Sequence, residues 1–275
     1  MAPDGHHDNA VREKAARATG TVGKALSVLD QVAAHGRPVR FAELLAASPF
    51  PKATLYRLLQ TLSAEGMLIY EESSQTYSVG LRLMRMAHAA WQQNSLAPVA
   101  APFLDTLSAE LGETLHLAQL DQGQVYYVDK RNAARPIDMY AEAGKVGPAY
   151  CTGVGKAMLA FTPEPALSDA LSKQSYHRFT NKTLTTPDSL RATLEEIRAR
   201  GYAVDDEEHE PGIICAAVPV LAADGRPIGA LSVTSSTART TLSALIDLVP
   251  QLTETADRIA EAASAWRFPG AGSQN

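Results

Sequence analysis

The chain is 275 residues long, enough for about two domains with cores of their own, and its 45% apolar and 20% charged residues are ordinary for a soluble globular protein. Its first twenty residues contain no apolar run, and its longest apolar run, residues 213–223, is eleven residues with Pro219 inside it; neither a signal peptide nor a membrane span is expected, and the cytoplasm is the expected location. Two cysteines, Cys151 and Cys215, are too few for a secreted disulfide scaffold or a four-cysteine zinc site, and a net charge of −5 argues at first sight against nucleic acid.

Dividing the chain at Gly80 changes that impression. Residues 1–80 carry 8 Lys/Arg and 8 Asp/Glu, and the remainder carries 17 and 22, so the acidity lies in the second part. A neutral first domain can bind DNA if its cations share a face, with a modest electrostatic footprint. Residues 1–18 read as a disordered arm. Residues 21–35 place Val22, Leu26, Leu29, Val32 and Ala33 at helical spacing, and Gly36 with Pro38 ends the helix. Residues 41–47 form a second short helix, and Ser48-Pro49-Phe50 is a turn. In the next segment, residues 51–66 (PKATLYRLLQTLSAEG), Leu55, Leu58, Leu59 and Leu62 make one apolar stripe, bounded by Pro51 in the first turn and Gly66 at a left-handed cap. Lys52, Thr54, Tyr56, Arg57 and Gln60 fall off that stripe. Two cations, a hydroxyl, a phenol and an amide can reach phosphates and base edges together, so this is a candidate recognition helix, and Arg40 joins the DNA-contact set. Three helices with a tight turn before the third give helix-turn-helix order. Two β-prone runs, residues 67–72 and 76–80, flank Ser73-Ser74-Gln75 and make it a winged version; Glu71 and Glu72 near the tip would repel phosphates.

Residues 81–93 are helical with Leu81, Met84, His88 and Trp91 along one side, either a linker packed on its own domain or a dimerisation helix. From Ala97 the pattern becomes mixed. A helix over 98–111 is followed by a hairpin of residues 114–120 and 124–130 about Asp121-Gln122-Gly123 and a strand over 137–143. Helices follow over 153–161 and 187–200, then a strand over 202–204 and a hairpin of 212–222 and 227–235 about Asp224-Gly225. The closing helix, residues 242–266, runs from Leu242 to Trp266 at three/four spacing, and Pro250 should kink or split it. The sum is a sheet flanked by helices, with the last helix beside the first of its domain.

Several groups in this second part carry chemistry. Thr152-Gly153-Val154-Gly155-Lys156 opens a helix, whose bare N–H groups bind anions well, and the glycines let a ligand come close. It is not a nucleotide P-loop, since Tyr150 stands where the first glycine should be and Ala157 follows the lysine; a carboxylate pocket and a plain tight turn remain. The acidic run from Asp205 to Glu210 is ordinarily a solvated face, and His209 within it has no second histidine at ligand spacing, so no metal is expected. Ser232 and Thr234 alternate along a strand and point to one face. Cys215 is either a small buried hydrophobe or a ligand-contacting thiol. Redox pairing with Cys151 requires α-carbons within about 7 Å, and catalysis by Cys215 requires His116 or His209 beside it.

The segments TVGKALSVLDQVAAHG, PKATLYRLLQTLSAEGML and YSVGLRLM resemble the winged helix-turn-helix of the IclR family of bacterial transcriptional regulators, and GPAYCTGVGKAMLA, RARGYAVDDEEHEPGIICAAVPV and GRPIGALSVT resemble its effector-binding domain. The resemblance spans about residues 20–265. It implies an α+β chain organised as an arm (1–18), a winged helix-turn-helix DNA-binding domain (19–80), a linker helix (81–95), a GAF-like α/β effector-binding domain (96–268) and a tail (269–275). It also implies that Asp205 and Cys215 contact the effector; Gly153, Val154, Ser232, Thr234 and Met139 are expected to complete that site. The expected protein is a regulator, not an enzyme, without cofactor or metal. Its expected partners are a palindromic double-stranded DNA operator, a small carboxylate and further copies of itself, as a dimer or dimer of dimers. Asp205 beside an anion is acceptable if it takes a hydroxyl or hydrate proton while the helix N-terminus takes the carboxylate. That arrangement favours a short 2-oxo or 2-hydroxy acid such as glyoxylate. An aromatic or sugar acid, a cysteine-based redox sensor and an enzyme on the same fold stay open as alternatives.

Overall fold

The computed structural model describes residues 20–264, with side chains for all of these except residues 90–94. The arm at 1–18, the tail at 269–275, Trp266 and the side chain of Trp91 therefore lie outside the described residues. The chain divides into two compact units, Met1–Gln92 and Gln93–Asn275, and the division falls inside the helix expected to be the linker.

In the first unit, α1 (Thr21–Ala34), β1 (Val39–Arg40), α2 (Phe41–Ala47) and α3 (Lys52–Ala64) precede a hairpin of β2 (Leu68–Glu71) and β3 (Thr76–Val79), and α4 (Leu81–Asn94) follows. The leucine stripe of α3 does what its spacing requires: Leu55, Leu58, Leu59 and Leu62 are all buried, against Val28, Leu29 and Val32 of α1, Leu44 of α2, and Leu68 and Tyr77 of the hairpin. The stripe expected on α1 is only half used, because Val22 and Leu26 are exposed and Val28 takes their place in the core. Gln31 joins the two N-terminal helices by donating from Nε2 to the Leu44 carbonyl at 2.8 Å. At the end of α3, Gly66 sits at φ 67°, and the N–H groups of Gly66 and Met67 return to the carbonyls of Ser63 (3.0 Å) and Leu62 (2.9 Å), a Schellman cap. The wing gains a strand that two residues could not announce: β1 pairs with β3 through Val39 and Tyr77 and through Arg40 and Thr76, giving the order β1-β3-β2. On α4, Leu83 packs against this core, whereas Leu81, Met84 and Met86 are exposed. Of the side expected either to pack on its own domain or to dimerise, Leu81, Met84 and His88 are uncovered.

The second unit begins with α5 (Ala97–Leu111) and centres on an antiparallel sheet of order β6-β5-β4-β9-β8-β7. Its strands are β4 (Thr114–Asp121), β5 (Gln124–Arg131), β6 (Val146–Pro148), β7 (Ala203–Asp206), β8 (Ile213–Leu221) and β9 (Pro227–Ser236). Both hairpins fall where expected, the first with Gln122 and Gly123 at positive φ as a two-residue turn demands. The helix α6 (Gly153–Phe161) packs on β8 and β9 with α8 (Pro187–Arg200) against it, and the short α7 (Ala166–Ser172) adds Leu167, Ala170 and Leu171 to the same core. The closing segment divides into α9 (Leu242–Ile246) and α10 (Val249–Ser264). Pro250 stands in the first turn of α10, where its missing N–H costs nothing. The last helix does lie beside the first of its unit, with the Arg258 guanidinium 5.0 Å from the centre of the Phe103 ring.

One expected element is absent. Residues 137–143 are not a strand, although Ile137, Met139, Ala141 and Ala143 alternate; the edge of β5 is taken by β6, in register through Tyr126 and Val146. The Tyr140 N–H goes to the Glu210 carboxylate at 2.8 Å and not to a strand partner.

Candidate functional site

On the first unit, burial of the leucine stripe turns the opposite side of α3 outward. Lys52, Tyr56, Arg57 and Gln60 are exposed and Thr54 is half-buried; Arg40, on β1, is also exposed. Neither Lys52, Arg57 nor Arg40 enters an ion pair among the described residues. Tyr56 rests edge-on against Phe41, ring centres 6.1 Å apart, which fixes the phenol relative to α2. At the wing tip the Glu71 carboxylate accepts the Ser73 N–H (3.2 Å) and hydroxyl (2.9 Å), and these bonds hold its pKa below the usual carboxylate range. The tip is negative, as expected.

On the second unit, one cavity collects all seven residues expected to contact an effector. Gly153, Val154, Asp205, Cys215, Ser232, Thr234 and Met139 line a space of about 30 Å³, together with His116, Tyr127, Ala141, Thr152, His209, Glu210 and Ile213. Strand register explains the convergence. Asp205 on β7 is opposite Cys215 on β8, which is opposite Thr234 on β9, and in the next row Ala217 is opposite Ser232, which is opposite His116 on β4. Paired residues share a face, so the sheet presents a carboxyl, a thiol, two hydroxyls and an imidazole in adjoining rows. The N-terminus of α6 closes the cavity from above that face. Gly153 and Gly155 let it approach: a Cβ on Gly153 would collide with the Cys215 sulfur, and one on Gly155 would lie 2.5 Å from the Ala149 backbone. The Thr152 hydroxyl donates to the Pro148 carbonyl (2.7 Å) and does not cap α6; the Gly153 N–H at its start is turned to the Cys215 sulfur.

The acidic run is not a solvated face. Asp205 and Glu208 are buried, because Lys156, itself fully buried in α6, reaches across to pair with the Glu208 carboxylate. The Glu208 N–H donates to Asp205 Oδ1 at 2.7 Å, and Thr183 and Thr180 hydroxyls hold the carbonyls of Glu208 (2.6 Å) and Glu207 (2.7 Å). Lys182 pairs with Asp206 (3.0 Å) and Glu207 (2.9 Å) on the outside. The run alternates between an inner pair and an outer pair, and the lysines that neutralise it lie 24 or more residues away in sequence.

Burial sets the protonation of the cavity. It pushes the Asp205 carboxyl up to about 7, against the pull of the Lys156 ammonium. It pushes His116 down to about 4, helped by the Lys130 charge, so the imidazole is neutral. Burial also raises both thiols, Cys151 and Cys215, and both are unpaired. A thiol kept protonated is a poor nucleophile and a poor partner for disulfide exchange. His116 lines the same cavity as Cys215, but its Nδ1 meets Thr234 Oγ1 at 3.2 Å, so the structure records no thiol–imidazole hydrogen bond of the sort a cysteine nucleophile needs. Among the described residues no three His, Cys, Asp or Glu side chains are grouped to hold a metal ion, and no helix is long and apolar enough to cross a membrane.

Sequence reasoning weighed His116 as a candidate base and His209 as a base or metal ligand, and did not place Tyr127, Glu210 or Ile213 in the effector site. The available signal was the alternation of β4 and β5, which fixes inward positions once the β4–β9 register is known.

A family model described as the C-terminal part of the bacterial transcriptional regulator IclR matches residues 88–261, and one described as the IclR helix-turn-helix domain matches residues 21–72. The chain is 31% identical over 261 residues to the HTH-type transcriptional regulator KdgR of Escherichia coli K12, an alignment covering 95% of this chain and 99% of that one. It is 30% identical over 231 residues to the transcriptional repressor IclR of the same organism, covering 82% and 84%. The crystal structure of the Thermotoga maritima IclR superposes with a TM-score of 0.69 at 29% identity, covering 88% of this chain and 97% of that one.

Proposed function

The chain belongs to the IclR family of bacterial transcriptional regulators, a DNA-binding unit joined to an effector-binding unit, and we propose that it is a repressor whose hold on a palindromic operator is set by a short carboxylic acid. The observation that carries this reading is the convergence of a helix N-terminus, a buried carboxyl and a row of neutral hydrogen-bonding groups on one cavity. The first amides of α6 take the ligand carboxylate, and Asp205 adds a hydrogen bond, donated when it is protonated or accepted from a hydroxyl or hydrate when it is not. Room for about two water molecules favours a short 2-oxo or 2-hydroxy acid, glyoxylate-like, over an aromatic acid. Lys52, Thr54, Tyr56, Arg57 and Gln60 of α3, with Arg40, contact the operator. The uncovered Leu81, Met84 and Met86 of α4 support self-association, and a dimer offers two recognition helices to half-sites about 34 Å apart.

The test is calorimetric titration of the full chain with glyoxylate and pyruvate between pH 6 and 8.5, with Asp205→Asn alongside. If the donated proton dominates, affinity falls as the pH rises through about 7, and the Asn side chain, which always carries a donor, removes that dependence. Absence of heat for either acid at millimolar concentration contradicts the carboxylate reading.

A further inference from the structure

The cavity contains one buried ring nitrogen that makes no well-formed hydrogen bond, although the Ala141 carbonyl lies near the ring and favours its proton. His116 is 2% exposed, its Nδ1 is engaged by Thr234 Oγ1 at 3.2 Å, and the Tyr127 ring meets it at a steep angle with centres 5.5 Å apart. The weakly engaged nitrogen is its Nε2, and the residue lines the cavity. A buried ring nitrogen so weakly engaged is poorly compensated for the water it has lost, and a ligand atom that meets it offsets that cost.

We propose that His116 is a specificity-determining ligand contact, whose Nε2 receives a second, uncharged oxygen of the effector, so that the site prefers acids carrying a hydroxyl or carbonyl group over both plain acids and dicarboxylates. The proposal rests on the carboxylate reading above and says which carboxylates. Position separates the two groups: Asp205 is on β7 and His116 on β4, with β9 and β8 between them. The two side chains therefore meet different parts of a molecule lying between them. The hydroxyl of Thr234 decides what His116 offers. When Thr234 accepts from Nδ1–H, Nε2 is an acceptor and suits a ligand hydroxyl; when Thr234 donates to Nδ1, Nε2–H is a donor and suits a ligand carbonyl. Either oxygen is served without a net charge.

A second carboxylate is not served. No Lys or Arg lines the cavity. The charges that His116 does feel are Lys130, already committed to Glu142 at 2.5 Å, and the carboxylates of Glu142 and Glu210. A second anionic group at that end would be desolvated beside a neutral imidazole and two acids, which is the costly arrangement for a buried charge.

The experiment is a calorimetric comparison of two matched series on the full chain. Propionate, 3-hydroxypropionate and malonate form one, and pentanoate, 5-hydroxypentanoate and glutarate the other. In the wild type at least one hydroxy acid should bind about tenfold tighter than its parent acid, and the matching dicarboxylate should not exceed the parent. In His116→Phe, which keeps an aromatic ring and removes both nitrogens, the hydroxy-to-parent ratio should fall to near one. His116→Gln, which restores a donor and an acceptor, should recover part of the ratio and decides the matter if the Phe variant does not fold. An unchanged ratio in the folded variants, or a dicarboxylate as the tightest wild-type ligand, overturns the assignment of His116. Failure of every acid in both series, and of glyoxylate and pyruvate, to bind the wild type overturns instead the carboxylate reading beneath it.

Discussion

The two units hold the side chains proposed to bind DNA and effector in opposite ways. On the first, Arg57, Lys52 and Gln60 stand in water while the leucines on the other side of α3 hold the fold. On the second, Asp205, Cys215, Ser232, Thr234 and His116 are themselves buried, and the fold has to be built around them with a lysine, a carboxylate and two glycines placed to suit. The difference separates function from stability in one unit and fuses them in the other. Water-exposed groups act on a polyanion through charge and contact, with strong dependence on salt. Buried groups act through protonation states and unpaired atoms, with strong dependence on pH.

That contrast is exposed most sharply by two substitutions. Lys156→Met leaves the Glu208 carboxylate buried without its partner and should cost about 3–5 kcal/mol in chemical denaturation; adding Glu208→Met should recover most of the loss. Arg57→Ala should move stability by no more than about 0.5 kcal/mol and yet weaken specific DNA binding by about 1–3 kcal/mol if it reads a guanine. Should Arg57→Ala destabilise the chain as Lys156→Met does, the separation drawn here fails. Lys52→Ala is a finer probe: it should weaken binding to all DNA sequences alike and reduce the slope of log K against log salt by about one.

The pH dependence of stability provides the most specific effect. Asp205 has a folded pKa of about 7 against an ordinary 3.8, so the folded state holds the extra proton in between; its contribution is present in acid and is lost as the pH rises toward 7. His116 has a folded pKa of about 4 against 6.5, so its contribution is present above 6.5 and is lost as the pH falls toward 4. The two oppose each other across their shared window and flatten it. Thermal melts should therefore show His116→Phe losing stability as the pH rises through that window, and Asp205→Asn losing it as the pH falls.

Much of this was legible in the sequence where local pattern and function coincide. The leucine spacing of α3 determines which residues face out, and Gly66 marks its end for a reason that only backbone conformation supplies. Gly153 and Ser232–Thr234 could be placed because a helix start and a strand alternation are local signals. The acidic run was misread because its burial depends on Lys156, 52 residues from Glu208, and no local pattern reports such a pair. Residues 137–143 alternate like a strand, but a strand also needs a partner, and β6 occupies that edge. His116 belonged to a correctly expected strand, and its role waited on the register between β4 and β9, which brings it opposite Ser232.

If occupation of the buried cavity changes what the exposed helix does, fluorescence anisotropy will report it. The full chain is titrated against duplex DNA from just upstream of its own gene, without and with the short acid that binds most tightly in calorimetry. Specific binding is expected, with an affinity that the acid changes by about 5- to 150-fold and with the operator changing affinity for the acid by the same factor. An acid that demonstrably fills the cavity and leaves operator affinity unchanged would contradict that expectation.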